Sequence, residues 1–207
     1  MGAPTILIIP GLRDHVDAHW QTLLAHELEA HGRTVRSVPP MGREDLDCAR
    51  RVEAIDRALN EIPEPPIVVA HSGGAIMFVH WARTHDRPIR GALLATPPDF
   101  EQPMPEGYPT IEALRAGGWL PVPRAPLPFP SIVAASRNDP LGRIERVAEL
   151  ARAWGSRFDD LGQVGHLNPA SGFGAWPRAE SYITELAALR PRAEQALTRM
   201  AQRAAIY

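Results

Sequence analysis

The chain has 207 residues, and its 22 basic residues, all arginine, nearly balance 24 acidic ones, which leaves a formal net charge of −2. This balance excludes the strongly basic surface that binds nucleic acid or anionic membranes. A single cysteine, Cys48, excludes a disulfide framework and a cysteine metal cluster. The length predicts one domain that buries about 70% of the unfolded chain's surface.

The amino-terminal segment MGAPTILIIPG has no basic region like that of a signal peptide, and its apolar run is too short to span a membrane. Ile6 stands where the N-myristoylation pattern needs serine or threonine. No later segment approaches the length of a membrane span. We therefore expect a cytoplasmic protein without nucleic-acid or membrane partners.

Short apolar runs alternate along the chain with longer amphipathic segments. The predicted strands cover residues 5–10, 34–38, 66–71, 90–96 and 131–136, with a weaker sixth at 156–161. The predicted helices cover residues 19–31, 44–61, 74–84 and 141–154, and a further one begins near Pro177. This alternation predicts an α/β fold, with a parallel sheet and helices on both faces.

Two segments interrupt the alternation. Residues 97–130 carry ten of the 22 prolines, which predicts a stiff, irregular cover over the sheet. Because this segment leaves the fourth strand at its carboxyl end, we expect it to form one wall of a substrate pocket, with Trp119 as a substrate-binding residue. Simple packing of the cover onto the sheet remains the alternative. After a domain of residues 1–190, the tail 191–207 is either helical or frayed.

The stretch VVAHSGGA places Ser72 between a buried strand and a helix. With Ala70 in the first slot and Gly74 in the last, it follows the nucleophile-elbow pattern G-x-S-x-G, whose strained turn exposes the serine hydroxyl. Gly73 would supply a backbone N–H to an oxyanion. The alternative is a serine that merely caps the helix.

A serine nucleophile needs a histidine base and an acid that orients it, in the chain order serine, acid, histidine. His166, in the loop sequence QVGHLNP, is the histidine that lies far downstream of Ser72. Asp139 follows the fifth predicted strand, and Asp99, after the fourth, is the alternative acid. The loop after the first strand, with Leu12, is where the second oxyanion N–H of such sites arises. No histidine or carboxylate pairs stand at metal-ligand spacing on a helix, so no metal is expected.

Six blocks of the chain jointly resemble one family over residues 4–189. They are IIPGL, the pair His19-Trp20, AHSGGA, ATPPDFE, ASRNDP and GHLNPASGFGAWP. In these blocks the chain resembles the small serine hydrolases of the α/β-hydrolase superfamily, the group whose best-known member was named a retinoblastoma-binding protein. The resemblance implies a minimal hydrolase sheet of order 2-1-3-4-5-6 and a triad of Ser72, Asp139 and His166. It also implies an oxyanion hole from Leu12 and Gly73. We expect no cofactor.

Together these features predict a serine hydrolase that cleaves small carboxylic esters or thioesters through an acyl-enzyme. The alternative is a binding or scaffold protein that keeps the fold and acts through protein contacts. The physiological substrate, the acyl chain preference and the oligomeric state stay open at this point.

Overall fold

The computed structural model describes residues 2–12, 16–42 and 44–189, and its centre is a six-stranded parallel sheet. The strands are β1 (Ile6–Ile9), β2 (Val35–Ser37), β3 (Ile67–His71), β4 (Gly91–Ala95), β5 (Ser131–Ala135) and β6 (Arg157–Asp160). Their order is β2-β1-β3-β4-β5-β6, and every neighbouring pair is parallel. The predicted strand order is confirmed, and the weak sixth strand is the partly exposed edge strand β6.

The described residues form six α-helices around the sheet. They are α1 (Trp20–Ala30), α2 (Cys48–Asn60), α3 (Gly73–Thr84), α4 (Ile111–Ala116), α5 (Ile144–Ala153) and α6 (Arg178–Ala188). Five of them correspond to predicted helices. The sixth, α4, interrupts the proline-rich cover that was expected to be irregular, and it begins where the Thr110 hydroxyl accepts the N–H of Ala113 at 3.2 Å.

Helix α2 begins four residues later than the pattern predicts. Asp47 has an extended backbone, and its carboxylate accepts the N–H of Arg50 at 3.1 Å. This is the geometry of an N-cap, which satisfies one of the amides that a helix start leaves without a partner. The helix therefore begins at Cys48, and the residues just before it form a loop near the edge of the sheet where the strands end.

Each central strand sends alternate side chains to two separate hydrophobic clusters. In β1, Leu7 and Ile9 pack in the cluster formed with α2, α3 and α5, whereas Ile6 and Ile8 pack in the cluster formed with α1 and α6. All residues of β1, β3, β4 and β5 are buried. A strand with both faces covered is apolar throughout, which explains why these strands read as continuous apolar runs.

Because all strands are parallel, their carboxyl ends meet at one edge of the sheet, and the loops that follow them lie side by side. In open parallel sheets this edge is where ligands bind. None of the helices in the described ranges is long and apolar enough to cross a membrane. The predicted tail, residues 191–207, lies outside the described residues.

Candidate active site

Ser72 lies in the sharp turn between β3 and α3. Its backbone has φ 56° and ψ −132°, and a positive φ of this kind costs a non-glycine residue about 1–3 kcal/mol. The Ser72 N–H donates to the carbonyl of Ala95 at the end of β4, at 2.9 Å, which ties the turn to the sheet. The serine side chain makes no capping bond to α3, so the capping alternative is not what the structure shows.

Glycine is required at position 74 because α3 passes close to the loop after β1. A Cβ there would lie 2.4 Å from the carbonyl oxygen of Pro10 and 2.7 Å from that of Ile9. Both oxygens belong to the backbone and cannot swing aside as a flexible side chain would. Gly74 therefore allows the helix to start directly behind the serine.

Ser72, His166 and Asp139 form a continuous chain of hydrogen bonds. The Oγ of Ser72 lies 2.7 Å from Nε2 of His166, and Nδ1 of that ring lies 2.9 Å and 2.8 Å from the two carboxylate oxygens of Asp139. A carboxylate only accepts, so the ring carries its proton on Nδ1 and Nε2 is left to accept the serine hydroxyl proton. The histidine and the aspartate are both buried, and the serine is partly exposed.

The two candidate acids occupy different surroundings. Asp139 faces His166, and its Oδ1 also accepts the N–H of Leu141 at 2.9 Å. Asp99 instead accepts from Nε of Arg146 at 3.0 Å, as part of a charge cluster that joins the proline-rich cover to α5. The structure thus brings Asp139, and not Asp99, next to His166.

Side chains from other elements hold the backbone of His166. Its N–H donates to the hydroxyl of Ser171 at 3.1 Å, and its carbonyl accepts from Nε2 of His71 at 2.9 Å. The following residue, Leu167, has a positive φ of 49° and is fully buried. The loop that carries the ring is therefore fixed on both sides.

The contact of His71 with this loop is one that the sequence analysis did not predict. His71 directly precedes Ser72, and its ring centroid lies 5.0 Å from that of His166 and 4.8 Å from that of His19. Burial holds the pKa of His71 well below its ordinary value, and the neighbouring His166 and His19 act in the same direction. The pair His19-Trp20, one of the family blocks, is the sequence feature that points to this part of the site. It does not show that His71 contacts the carbonyl of His166.

A cavity of about 550 Å³ opens over Ser72 and His166. One wall comes from the proline-rich cover, as predicted. The cover residues that line it are Pro98, Phe100, Met104, Gly107, Tyr108 and Pro109. Other lining residues include Leu12, Leu46 and Leu141. Apolar residues predominate in the lining, and Ser72, His71 and His166 add polar groups, a combination that is common for small-molecule sites.

Trp119 does not line this cavity, so the expectation that it contacts the substrate is corrected. The indole is fully buried in the hydrophobic cluster of α2 and α3, edge-on to Phe100 at 5.4 Å. Its Nε1–H donates to the carbonyl of Leu46 at 2.7 Å. A buried indole needs such an acceptor, and here it lies behind the cavity wall. Trp119 thus supports the two lining residues Phe100 and Leu46 from the core side.

Leu12 and Gly73 lie against each other beside Ser72, and both line the cavity. A Cβ at Gly73 would lie 2.7 Å from Cγ of Leu12. Gly73 is the first residue of α3, where an N–H has no acceptor within the helix. Among the described residues, no three side chains of His, Cys, Asp or Glu are grouped as a metal site would require.

The parallel sheet with this strand order and its strained serine turn are features of the α/β-hydrolase class. The chain belongs to the serine hydrolase family, whose family model matches residues 6–185. The protein is therefore a hydrolase. The narrower resemblance to the retinoblastoma-binding group stays a prediction.

Solved structures of other proteins share this fold. A YdeN-like hydrolase from Pectobacterium atrosepticum is 29% identical, with a TM-score of 0.75 over 88% of this chain and 90% of that one. The ydeN gene product of B. subtilis is 16% identical, with a TM-score of 0.71 over 88% and 98%. A monoacylglycerol lipase from Paleococcus ferrophilus is 14% identical, with a TM-score of 0.63 over 90% and 96%. No curated protein sequence matches the chain significantly.

Proposed function

We propose that the protein hydrolyses small carboxylic esters or thioesters through an acyl-enzyme, with Ser72 as nucleophile, His166 as base and Asp139 as the orienting acid. The observation that carries this proposal is the continuous hydrogen-bonded chain from Ser72 Oγ through both ring nitrogens of His166 to Asp139. A serine hydroxyl becomes a useful nucleophile only when such a base is within hydrogen-bond reach.

In the first half of the reaction, Ser72 Oγ attacks the substrate carbonyl carbon while Nε2 of His166 takes the hydroxyl proton. The imidazolium is stabilised by Asp139, and the oxyanion accepts hydrogen bonds from the N–H groups of Gly73 and Leu12. The intermediate collapses, the carbon–oxygen or carbon–sulfur bond breaks, and His166 returns the proton to the leaving alcohol or thiol. The acyl group remains on the serine.

In the second half, a water molecule gives a proton to His166 and attacks the acyl carbonyl. Collapse of the second intermediate releases the carboxylic acid and restores the Ser72 hydroxyl. The cavity favours substrates with small apolar acyl or alcohol groups. Its walls carry Leu12, Phe100 and Met104, and its volume of about 550 Å³ suits a small molecule.

The proposal is tested with a fluorophosphonate probe, which reacts with activated serines. The wild-type protein should gain one adduct, mapped to the peptide that contains Ser72, and Ser72→Ala should gain none. The same proteins are then assayed on p-nitrophenyl esters of increasing chain length and on the matching acyl thioesters. A wild type that neither labels nor turns over any substrate would refute the proposal and favour the binding or scaffold role. Labelling of the alanine variant at another serine would refute the nucleophile assignment.

A further inference from the structure

His71 joins the strand that carries the nucleophile to the loop that carries the base. It is the last residue of β3, a strand paired on both sides, with β1 and with β4. From there its Nε2–H donates to the carbonyl of His166, 95 residues away in sequence, at 2.9 Å. Ser72 is the next residue after His71, so one hydrogen bond connects the rigid centre of the sheet with the catalytic loop.

The position of the His166 carbonyl matters because it belongs to the peptide unit next to a strained residue. Leu167 has a positive φ of 49°, and Gly165, on the other side, has a φ of 60°. Non-glycine residues keep such conformations only where surrounding contacts hold them. The bond from His71 is the contact made to this peptide from the nucleophile's own strand.

The surroundings of His71 keep it in one hydrogen-bonding state. The residue is 4% exposed, and its ring lies between the rings of His19 and His166 and meets Trp20 edge-on at 5.8 Å. A carbonyl only accepts, so Nε2 must carry the proton. Burial disfavours a charged imidazolium here, which leaves the neutral ring with its proton on Nε2. A charged ring would also carry a proton on Nε2, so neither state of the ring that fits this bond lacks the donor.

We propose that His71 is a positioning residue that holds the His166 ring at hydrogen-bond distance from Ser72 by donating to the His166 carbonyl. This inference rests on the proposed role of His166 as the base. A displacement of about 1 Å in a catalytic group costs on the order of 10²-fold in rate, so loss of this donor should lower kcat strongly without changing substrate binding.

Two substitutions separate the donor from the ring. His71→Phe keeps an aromatic ring and removes the donor, whereas His71→Gln removes the ring and keeps an N–H₂ donor at about the same reach. We expect His71→Phe to lower kcat about 10²-fold with KM near the wild-type value, and to slow fluorophosphonate labelling by a similar factor. His71→Gln should recover most of both rates. Equal rates for His71→Phe and wild type, or equally slow rates for both variants, would overturn the proposal.

His80 offers a matched control for the loss of a buried histidine donor. Its Nε2 donates to the carbonyl of Trp119 at 3.0 Å, and the residue does not line the cavity over Ser72. His80→Phe should therefore affect thermal stability about as much as His71→Phe while leaving kcat close to wild type. If His80→Phe lowers kcat as much as His71→Phe does, the effect is structural and the proposal fails.

A measurement on the wild type covers the case in which a variant does not fold. Imidazole ¹⁵N NMR should show His71 as a neutral ring with its proton on Nε2, and a ring protonated on Nδ1 alone would overturn the proposal. The wild-type labelling also separates the two hypotheses. A wild type that does not label refutes the proposed function, whereas a labelled wild type with an equally fast His71→Phe variant refutes only the role of His71.

Discussion

Replacement of Asp139 by asparagine should disable the protein by reversing the tautomer of His166. In the aspartate, Oδ1 accepts the N–H of Leu141 at 2.9 Å, and Oδ2 lies 2.8 Å from Nδ1 of His166. The asparagine oxygen must stay next to the N–H of Leu141, because the asparagine N–H₂ group is itself a donor and cannot accept a hydrogen bond from that N–H. Its N–H₂ group then faces Nδ1 and donates to it, which moves the ring proton to Nε2.

A proton on Nε2 points at Ser72, so the ring can no longer accept the hydroxyl proton. A change of this kind lowers kcat by about 10²–10⁴, which corresponds to about 3–5 kcal/mol of transition-state stabilisation. The assay compares kcat for Asp139→Asn and wild type on one p-nitrophenyl ester, with melting temperatures to show that both proteins are folded.

Asp99→Asn is the control, because Asp99 is another buried aspartate that follows a neighbouring strand. Its partner is Arg146, whose side chain is 31% exposed, so the substitution should cost about 1 kcal/mol of stability and leave kcat close to wild type. If Asp99→Asn loses activity and Asp139→Asn keeps it, the assignment of the acid is wrong.

Two further predictions concern stability. Trp119→Ala should lower the free energy of unfolding by about 3–5 kcal/mol, because it empties a fully buried site. It should also reduce kcat/KM by a similar factor for all ester chain lengths, whereas a change in chain-length preference with an unchanged melting temperature would mean that the indole contacts substrate. At acid pH, the unfolded chain protonates His71 and the folded protein does not, since burial lowers the folded pKa. Above about pH 6.5, His71 therefore does not lower the free energy of unfolding. Below that pH, the free energy of unfolding falls by up to about 1.4 kcal/mol per pH unit because of this residue. The free energy of unfolding, measured with urea at a series of pH values, should therefore fall less steeply at acid pH for His71→Gln than for wild type. Identical slopes for the two proteins would refute the reasoning.

The sequence alone predicted the features that depend on neighbours along the chain. Strands such as Ile67–His71 are short and apolar throughout because both of their faces are buried, and that pattern is visible without a structure. The turn at Ser72 was visible for a similar reason, since a strained turn needs small residues at fixed spacing. The candidates Ser72, Asp139 and His166 followed from the chain order serine, acid, histidine that such sites share, and the strand order came from the family resemblance.

The tertiary structure decided what depends on how distant segments pack. Trp119 was expected to contact substrate because it belongs to the cover segment, yet the cover folds so that its indole turns inward to the carbonyl of Leu46, 73 residues away. The sequence analysis assigned no role to His71. The partner of His71 is the backbone carbonyl of His166. Because every residue has a backbone carbonyl, the sequence does not indicate this contact. It forms only because the loop after β6 packs against the end of β3.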